Sequence, residues 1–490
     1  MNVGFLVLPV LFPIVFGGLL PALPFKSQKA RNIYTEIIVV LNTIFVWMLF
    51  TNTPSGELTL FKLTSNLSIA FEIDGMSKIF GGLISVLWPL ATLYAFEYME
   101  HEERKPIFFA FYTMTYGVTV GIAFAANLMS MYMFYELLTL VTLPLVMHEM
   151  DKKSIRAGRT YMTYSIAGAA FAFIALIMIL SFGTTLDFTF GGVLRPEMVE
   201  KHETMIYVVY LFAFFGFGVK AAVFPFHGWL PKASVAPTPV TALLHAVAVV
   251  KAGVFAIARV TYYSFGAEVL KGSFAQYIAM TFALITIVYA SSMAVKETHI
   301  KRRLAYSTIS NLSYVAFALT IMTPLGLKAG LSHIIAHGMM KFVLFLCAGA
   351  IMHHGHKNYV DELEGIAYKM TGVMVCFLIS SLGVMGIPPL IGFASKWNIA
   401  MAAVDSLSPL AYAGVGVLIF SAVLTGIYLL TVVVYTFVPV KNTDENALAK
   451  VNKPRWTMMV PLIAVTAIVI VFGIYFTPIF NVIEMAAKGL

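Results

Sequence analysis

The chain is 490 residues long, 60% hydrophobic and only 11% charged, with a formal net charge of +8. Soluble domains carry about 25% charged residues, so this composition cannot cover a water-facing surface of such size, and a string of soluble domains is excluded. The basic residues sit in short loops between apolar segments, the pattern that orients helices in a bilayer, and this argues against nucleic acid as a partner.

Apolar stretches of about 20 residues, the length that spans a bilayer, recur along nearly the whole chain. Fourteen are predicted, at 3–24, 33–51, 75–97, 106–125, 128–148, 158–182, 204–224, 236–259, 274–295, 303–323, 327–352, 371–403, 411–438 and 456–476. The first has no basic flank and no small-residue cleavage site, so it is expected to be a retained helix and not a signal peptide. The stretch at 371–403 is too long for one straight crossing and is expected to be broken or tilted. The expected fold class is therefore an all-α polytopic membrane protein of about fourteen transmembrane helices.

Loops numbered alternately differ sharply in charge. The odd loops hold twenty Lys and Arg, with clusters at Lys26, Lys29 and Arg31, at Lys152 to Arg159, at Lys296 to Arg303, and at Lys441 to Arg455. The even side holds seven, among them Arg195, Arg259 and Lys328. Positive charge stays on the cytoplasmic side, so the odd loops are expected there, with both termini extracytoplasmic in the cell membrane. Five lysines remain, Lys78, Lys220, Lys251, Lys341 and Lys396, all inside predicted spans.

Spans seven and twelve are interrupted alike. The first contains Pro225 and Pro231 in VKAAVFPFHGWLP, and the second Gly386, Pro388 and Pro389 in GIPPLIGFASKW. Proline removes a backbone donor and breaks a helix, which lipid tolerates only where the freed carbonyls meet protein or water. Each broken span also carries a lysine, Lys220 or Lys396. Their offset of five helices is odd, which turns the second copy upside down. Inverted repeats are expected at 106–259 and 274–438, after an N-terminal part at 1–105 and before a C-terminal part at 439–490, with ion sites beside the breaks.

An isolated charge at the bilayer centre costs about 2.5–3.5 kcal/mol. Glu136, Lys220, Lys251, Lys341 and Lys396 must therefore pair, lose charge or meet water. Glu136 is read as a partner that tunes Lys220, since a nearby carboxylate stabilises the ammonium while burial disfavours it. His245 lies six residues before Lys251 and on another face of its helix, but both can line one wet path. His333, His337 and Lys341 are spaced i, i+4, i+8 and form one polar stripe. Imidazole and a desolvated amine suit a proton relay. Lys396, after the second break, is read as the terminal donor, against the alternative of a lysine snorkelling to the interface. Snorkelling is the better reading for Lys78 and Asp74, and a solvated helix end for His353, His354 and His356.

These groups suit charge transfer and not covalent chemistry. No nucleophile triad, Walker loop or dinucleotide fingerprint survives its context. Cys347 and Cys376 are too few for an iron–sulfur cluster. No cofactor and no metal is expected, and a lysine path suits H⁺ better than Na⁺.

The stretch KAAVFPFHGWLPKASVAPTPVTALLHAVAVVKAGVFAIAR closely resembles the signature of the proton-pumping antiporter-like subunits of complex I and of Mrp-type cation/proton antiporters. KRRLAYSTISNLSYV, SHIIAHGMMKFVLF and GIPPLIGFASKW resemble later motifs of that family, and the likeness runs from about residue 70 to 440. It implies fourteen helices, inverted five-helix repeats and two linked half-channels. It also implies roles: Glu136 matches the family's carboxylate on helix five, Lys220 its lysine partner on helix seven, and Lys251 the central lysine on helix eight. His333, His337 and Lys341 match the connecting axis on helix eleven, and Lys396 the terminal residue on helix twelve, which some members replace with Glu. The length and GIPPLIGF look most like the D subunit of Mrp antiporters. Similar subunits occur in membrane-bound hydrogenases and related ferredoxin-linked complexes, and the chain is expected to lack the lateral helix of the largest complex I member. The expected partners are other membrane subunits and the lipid bilayer. The alternatives are a non-transporting membrane scaffold of such a complex and a stand-alone cation/proton antiporter.

Overall fold

The computed structural model describes residues 2–64, 67–438 and 451–488. Lys441 and Lys450, counted above in the thirteenth loop, lie outside them. After a 3-10 turn (Val3–Val7), α1 (Leu8–Gly18) and α2 (Gln28–Thr51) form a hairpin. Next come two antiparallel strands, β1 (Leu58–Thr64) and β2 (Leu67–Phe71), with Leu58 opposite Phe71. The chain is otherwise helical, as expected, and this hairpin is an addition to that reading. The alternation in LTLFKLT and LSIAF is a strand pattern, and it falls between the apolar stretches on which the helical reading rested.

Helices α3 (Gly75–Tyr98), α4 (Lys105–Ala123), α5 (Leu128–Val146), α6 (Lys152–Phe182) and α7 (Pro196–Lys220) follow. Several begin where a polar side chain caps the first free amides, as Asp74, Asn127 and Asp151 do for α3, α5 and α6. The chain then breaks into short pieces: α8 (Trp229–Ala233), α9 (Thr238–Ala242), a π turn (Leu243–Val247), α10 (Val249–Arg259), a second π turn (Val260–Phe265) and α11 (Ala267–Leu270). The second half comprises α12 (Phe274–Lys296), α13 (Ile300–Thr320), α14 (Pro324–Gly355), α15 (Ile366–Lys369), α16 (Thr371–Met385), α17 (Ile391–Asp405) and α18 (Pro409–Phe437). Helices α19 (Trp456–Ile474) and α20 (Thr477–Ala487) close the described chain.

Among the described residues, twelve helices are long and apolar enough to cross a membrane. The two remaining expected stretches are also helical but do not meet that measure. Helix α13 is 21 residues long but rich in Ser, Thr and Asn, and 371–403 is divided into α16 and α17. The stretch at 371–403 is therefore broken, as expected.

Burial sorts the helices. The apolar windows of Thr238–Phe265 and Pro324–Gly355 are 100% buried, against 33–78% for the other ten. These two elements form the centre of the bundle, and lipid can reach only the rest. Five of the eight candidate residues, His245, Lys251, His333, His337 and Lys341, sit on these two central elements.

Several charged residues assigned to loops or interfaces are instead packed inside. Asp74 does not snorkel: its two carboxylate oxygens accept from Arg259 Nη1 and Nη2 at 2.5 and 2.8 Å. Arg259, counted on the even side, is 1% exposed and lies among the rings of Phe188, Phe255 and Tyr263. Lys301 and Arg303, counted in the ninth loop, are buried, with Lys301 Nζ donating to the Ala236 carbonyl at 2.9 Å. His354 is not at a solvated helix end, because it hydrogen-bonds to the buried Glu97 at 2.9 Å. In each case the side chain lies at the end of an apolar stretch, where sequence alone does not separate a loop from a helix terminus held by its neighbours.

Burial pushes the Asp74 carboxyl up, but the adjacent Arg259 guanidinium and the Ser77 amide and hydroxyl outweigh this and hold it below its ordinary value. Its stabilisation is therefore present above the usual carboxylate range and lost as pH falls through the depressed value. Asp74→Ala leaves Arg259 as a buried, unpaired charge and is expected to cost about 3 kcal/mol or more. Thermal unfolding in detergent measures this, and a variant as stable as the parent would remove the pair from the account of the fold.

Candidate functional site

Helix α7 ends at Lys220, five residues before Pro225. Pro231 does not break a helix: it lies in the first turn of α8, where its missing N–H has no intrahelical partner to lose. Helix α16 ends at Gly386, whose φ of +93° suits glycine. Pro388 and Pro389 fill the link before α17. The Phe224–Pro225 and Pro388–Pro389 peptides are cis.

A helix end leaves its last carbonyls unpaired, and the two breaks satisfy them differently. At the first, Tyr135 Oη donates to Phe217 O at 3.1 Å and Trp229 Nε1 donates to Val219 O at 2.7 Å. At the second, Lys396 Nζ donates to Val384 O at 2.6 Å and lies 3.4 Å from Met385 O. An ammonium at the carbonyl end of a helix is favoured by the helix dipole. Lys396 therefore turns back onto its own break and does not snorkel outward. Its ammonium also lies 4.9 Å from the Tyr314 ring centre.

Lys220 is 1% exposed. Its Nζ donates to the Tyr135 carbonyl and lies 3.4 Å from the centre of the Tyr135 ring. Glu136 Oε1 is 4.0 Å from Nζ, too far for a hydrogen bond and near enough for Coulomb attraction. That oxygen is buried and accepts no hydrogen bond. The pair is an ion pair held without direct contact. A cavity of about 760 Å³ lies beside this break, lined in part by His227, Lys232, Lys153 and Arg156.

Deeper in the bundle, Lys251 Nζ and His337 Nδ1 share a hydrogen bond between α10 and α14. The stripe on α14 then divides. His337 faces α10, His333 Nδ1 bonds Ser395 Oγ of α17 at 2.9 Å, and Lys341 Nζ donates to Ser307 Oγ of α13 at 2.5 Å. The His333 and His337 rings are stacked 5.9 Å apart, and Nε2 of each is buried without a partner. His245 bonds neither Lys251 nor His337. It sits in the π turn, stacks on Phe345 at 4.6 Å and lies 3.5 Å from Ser234 Oγ.

Six of the eight candidate residues are buried and Glu136 and Lys396 are partly buried, and the eight do not form one continuous hydrogen-bond chain. Among the described residues no hydrogen bond joins the Glu136–Lys220 pair to Lys251. Their backbones do meet, since Gly253 packs against Lys220 and Ala221. The unpaired atoms Glu136 Oε1, His245 Nδ1, His333 Nε2 and His337 Nε2 are each buried and polar, the setting in which buried water is held. Tyr135, Ser307 and Ser395 were missed from sequence. Ser307 had a signal in the excess of Ser, Thr and Asn along α13, and Ser395 in its place beside Lys396.

A family model described as "NADH:quinone oxidoreductase/Mrp antiporter, TM" matches residues 125–425. Another, "NADH-Ubiquinone oxidoreductase (complex I), chain 5 N-terminus", matches residues 62–109. A probable K(+)/H(+) antiporter polypeptide of Rhizobium meliloti (strain 1021) is 30% identical over 79% of this chain and 39% of its own length. A Na(+)/H(+) antiporter polypeptide of Alkalihalophilus pseudofirmus is 28% identical over 92% of this chain and 59% of its own. This chain therefore spans less than two thirds of either antiporter polypeptide. NADH-quinone oxidoreductase subunit N of Desulforudis audaxviator is 28% identical over 83% of both chains. Among solved structures, the Mrp complex from Dietzia sp. DQ12-45-1b holds a chain with TM-score 0.84 and 19% identity, covering 100% of this chain and 98% of that one. An archaeal membrane-bound sulfane sulfur reductase holds another with TM-score 0.84 and 21% identity, covering 99% and 97%. These two likenesses establish a shared fold. With the apolar helices and the family match over residues 125–425, the chain is a multi-pass membrane protein that belongs to the NADH:quinone oxidoreductase/Mrp antiporter transmembrane family.

Proposed function

We propose that this chain is the proton-carrying, antiporter-like subunit of a multisubunit ion-pumping membrane complex. The observation that carries the reading is the Lys251–His337 contact on the two helices that the rest of the bundle encloses. Neither side chain is placed there by packing alone, because an uncompensated charge in that setting is expensive. A shared hydrogen bond between an amine and an imidazole lets one proton pass from either nitrogen to the other without moving a heavy atom. His337 Nε2 and His333 Nε2 offer the next positions, with water between the stacked rings. Ser395, which bonds His333, directly precedes Lys396 in α17.

At the other end Lys220 holds a proton under the field of Glu136 and releases it when the carboxylate moves away. The two breaks, each with a lysine set against helix-end carbonyls or a helix-end field, support inverted repeats at 106–259 and 274–438. The excess of Lys and Arg in the odd loops supports termini on the extracytoplasmic side. The partners in this reading are further membrane subunits of a Mrp-type antiporter or of a respiratory complex. The chain carries no catalytic site of its own.

The test is proton movement by the assembled complex in sealed vesicles, followed with a pH-sensitive dye. Lys251→Ala and His337→Ala are each expected to slow it at least about tenfold, the loss that corresponds to roughly 1.4 kcal/mol. If both variants pump normally, the chain is a scaffold and the reading is wrong. Labelling of a cysteine placed at Asn2 from one face of intact cells tests the orientation.

A further inference from the structure

Among the described residues, none of the ion pairs involves Lys251, Lys341 or Lys396, whereas Lys220 has Glu136. Lys341 has hydroxyls instead. Its Nζ donates to Ser307 Oγ at 2.5 Å and lies 3.4 Å from the Leu304 carbonyl. Ser307 Oγ is 2.6 Å from Tyr428 Oη, Tyr428 Oη donates to Thr425 Oγ1 at 3.2 Å, and Thr425 Oγ1 donates to Ser421 O at 2.7 Å. All three hydroxyl side chains are buried.

The direction of this chain follows from its far end. Thr425 gives its proton to a carbonyl, and Tyr428 gives its own to Thr425. Ser307 must therefore donate to Tyr428, which leaves a lone pair of Ser307 facing the ammonium. Every O–H dipole points away from Lys341, and dipoles aligned in series reinforce one another. Hydrogen bonding to the charged form of a group favours that form.

We propose that Ser307, Tyr428 and Thr425 hold the proton on Lys341, the part that Glu136 plays for Lys220, and that they are positioning residues for proton carriage. This rests on the proton-carrying reading above. A chain of neutral hydroxyls differs from a carboxylate in one useful respect. When Lys341 gives up its proton, the three O–H bonds can rotate so that Thr425 donates to Tyr428, Tyr428 to Ser307 and Ser307 to the amine lone pair. No bond is made or broken within the chain and no heavy atom moves. Ser421 O keeps its helical N–H partner. The chain therefore follows the charge of Lys341, whereas Glu136 has to be displaced from Lys220.

The other groups facing this part of α14 are cationic or neutral. Lys251 on α10 and Lys396 on α17 repel an ammonium at Lys341. His337 lies one turn away, and His245 faces it from the π turn. Arg303 and Lys301 stand at the start of α13 and Tyr94 on α3. None supplies a negative charge, so the hydroxyl chain and the Leu304 carbonyl are what stabilise the ammonium.

The test uses the intact complex in sealed vesicles, with the rate of proton movement measured against pH. Tyr428→Phe keeps the ring and removes one hydroxyl, Ser307→Ala removes the direct contact, and Thr425→Val removes the end of the chain. The alkaline limb of the profile is expected to move to lower pH by about half a unit to one unit in Tyr428→Phe, and further in Ser307→Ala, as loss of a hydrogen bond to a charged group predicts. Ser307→Thr, which keeps the hydroxyl, is expected to restore the parental limb. An unmoved limb in assembled Tyr428→Phe and Thr425→Val complexes overturns the inference. Lys341→Gln separates the two levels. If it pumps normally, the proton-carrying reading fails as well. If it stops pumping while the limb of Tyr428→Phe stays put, the hydroxyl chain alone is wrong.

Discussion

Lys220→Ala is expected to stop proton movement by the assembled complex, and Glu136→Gln to reduce it by about a hundredfold or more, since breaking a buried pair costs about 3–5 kcal/mol and each 1.4 kcal/mol is about tenfold. Both variants are expected to assemble. The geometry is the reason. Glu136 stands 4.0 Å from Lys220 Nζ, with its side chain 27% exposed, while Lys220 is 1% exposed. The carboxylate left behind in Lys220→Ala therefore has access to relief. In Glu136→Gln the lysine keeps the Tyr135 carbonyl and ring and so stays in place, but it can do so as the neutral amine, which carries no proton onward. Glutamine preserves the volume of Glu136, so the loss reports charge and not packing. The measurement is dye quenching in vesicles beside a native gel of the complex. Normal rates in both variants would sink the role of the pair. A lost complex would mark the pair as structural.

The same comparison explains what sequence could and could not reach. Charges inside apolar stretches are conspicuous, and Glu136, Lys220, Lys251, Lys341 and Lys396 were found because of what they cost in lipid. Their partners were harder to find. Lys251 meets His337 across 86 residues of sequence, and no periodicity within either helix says which face of α14 turns to α10. The i, i+4, i+8 stripe was real as spacing, yet its three members face three different helices. Serines carry little signal because most serve their own helix: Ser332 donates to Lys328 O four residues back. The fold is what shows that Ser307 and Ser395, unlike Ser332, reach across to Lys341 and His333. Arg259 misled for a related reason. It lies at the end of an apolar stretch, where a snorkelling cation and a buried partner of Asp74 read the same. The helical architecture was legible nearly throughout, since lipid leaves helices as almost the only choice for such stretches. The β1–β2 hairpin and α20 lie outside the apolar stretches, beyond the reach of that constraint.

Gly253→Ala and Gly392→Ala are expected to be disruptive although neither residue is ionisable, because both breaks are packed through a glycine of a neighbouring helix. A Cβ on Gly253 would lie 2.5 Å from Ala221 N and 3.0 Å from the carbonyl carbon of Lys220. On Gly392 it would lie 1.9 Å from Gly383 O. These are contacts with backbone, which cannot turn aside as a side chain can. The added methyl must push α10 off the end of α7, or α17 off α16, and overpacking of this kind costs about 1–3 kcal/mol. The functional loss should exceed the loss of stability. The displaced backbone is that of Lys220 in one case and of the Lys396 acceptor segment in the other, and a shift of about 1 Å in a positioned group can cost a hundredfold in rate. Gly416, where a Cβ would meet nothing within 4 Å, supplies the control, and Gly416→Ala is expected to match the parent in both assays. Thermal unfolding in detergent and proton movement in vesicles read the two effects separately. If Gly253→Ala unfolded earlier but pumped at the parental rate, close packing at the first break would be a matter of stability alone. If it pumped slowly while unfolding only slightly earlier, the glycine sets where the Lys220 proton is held.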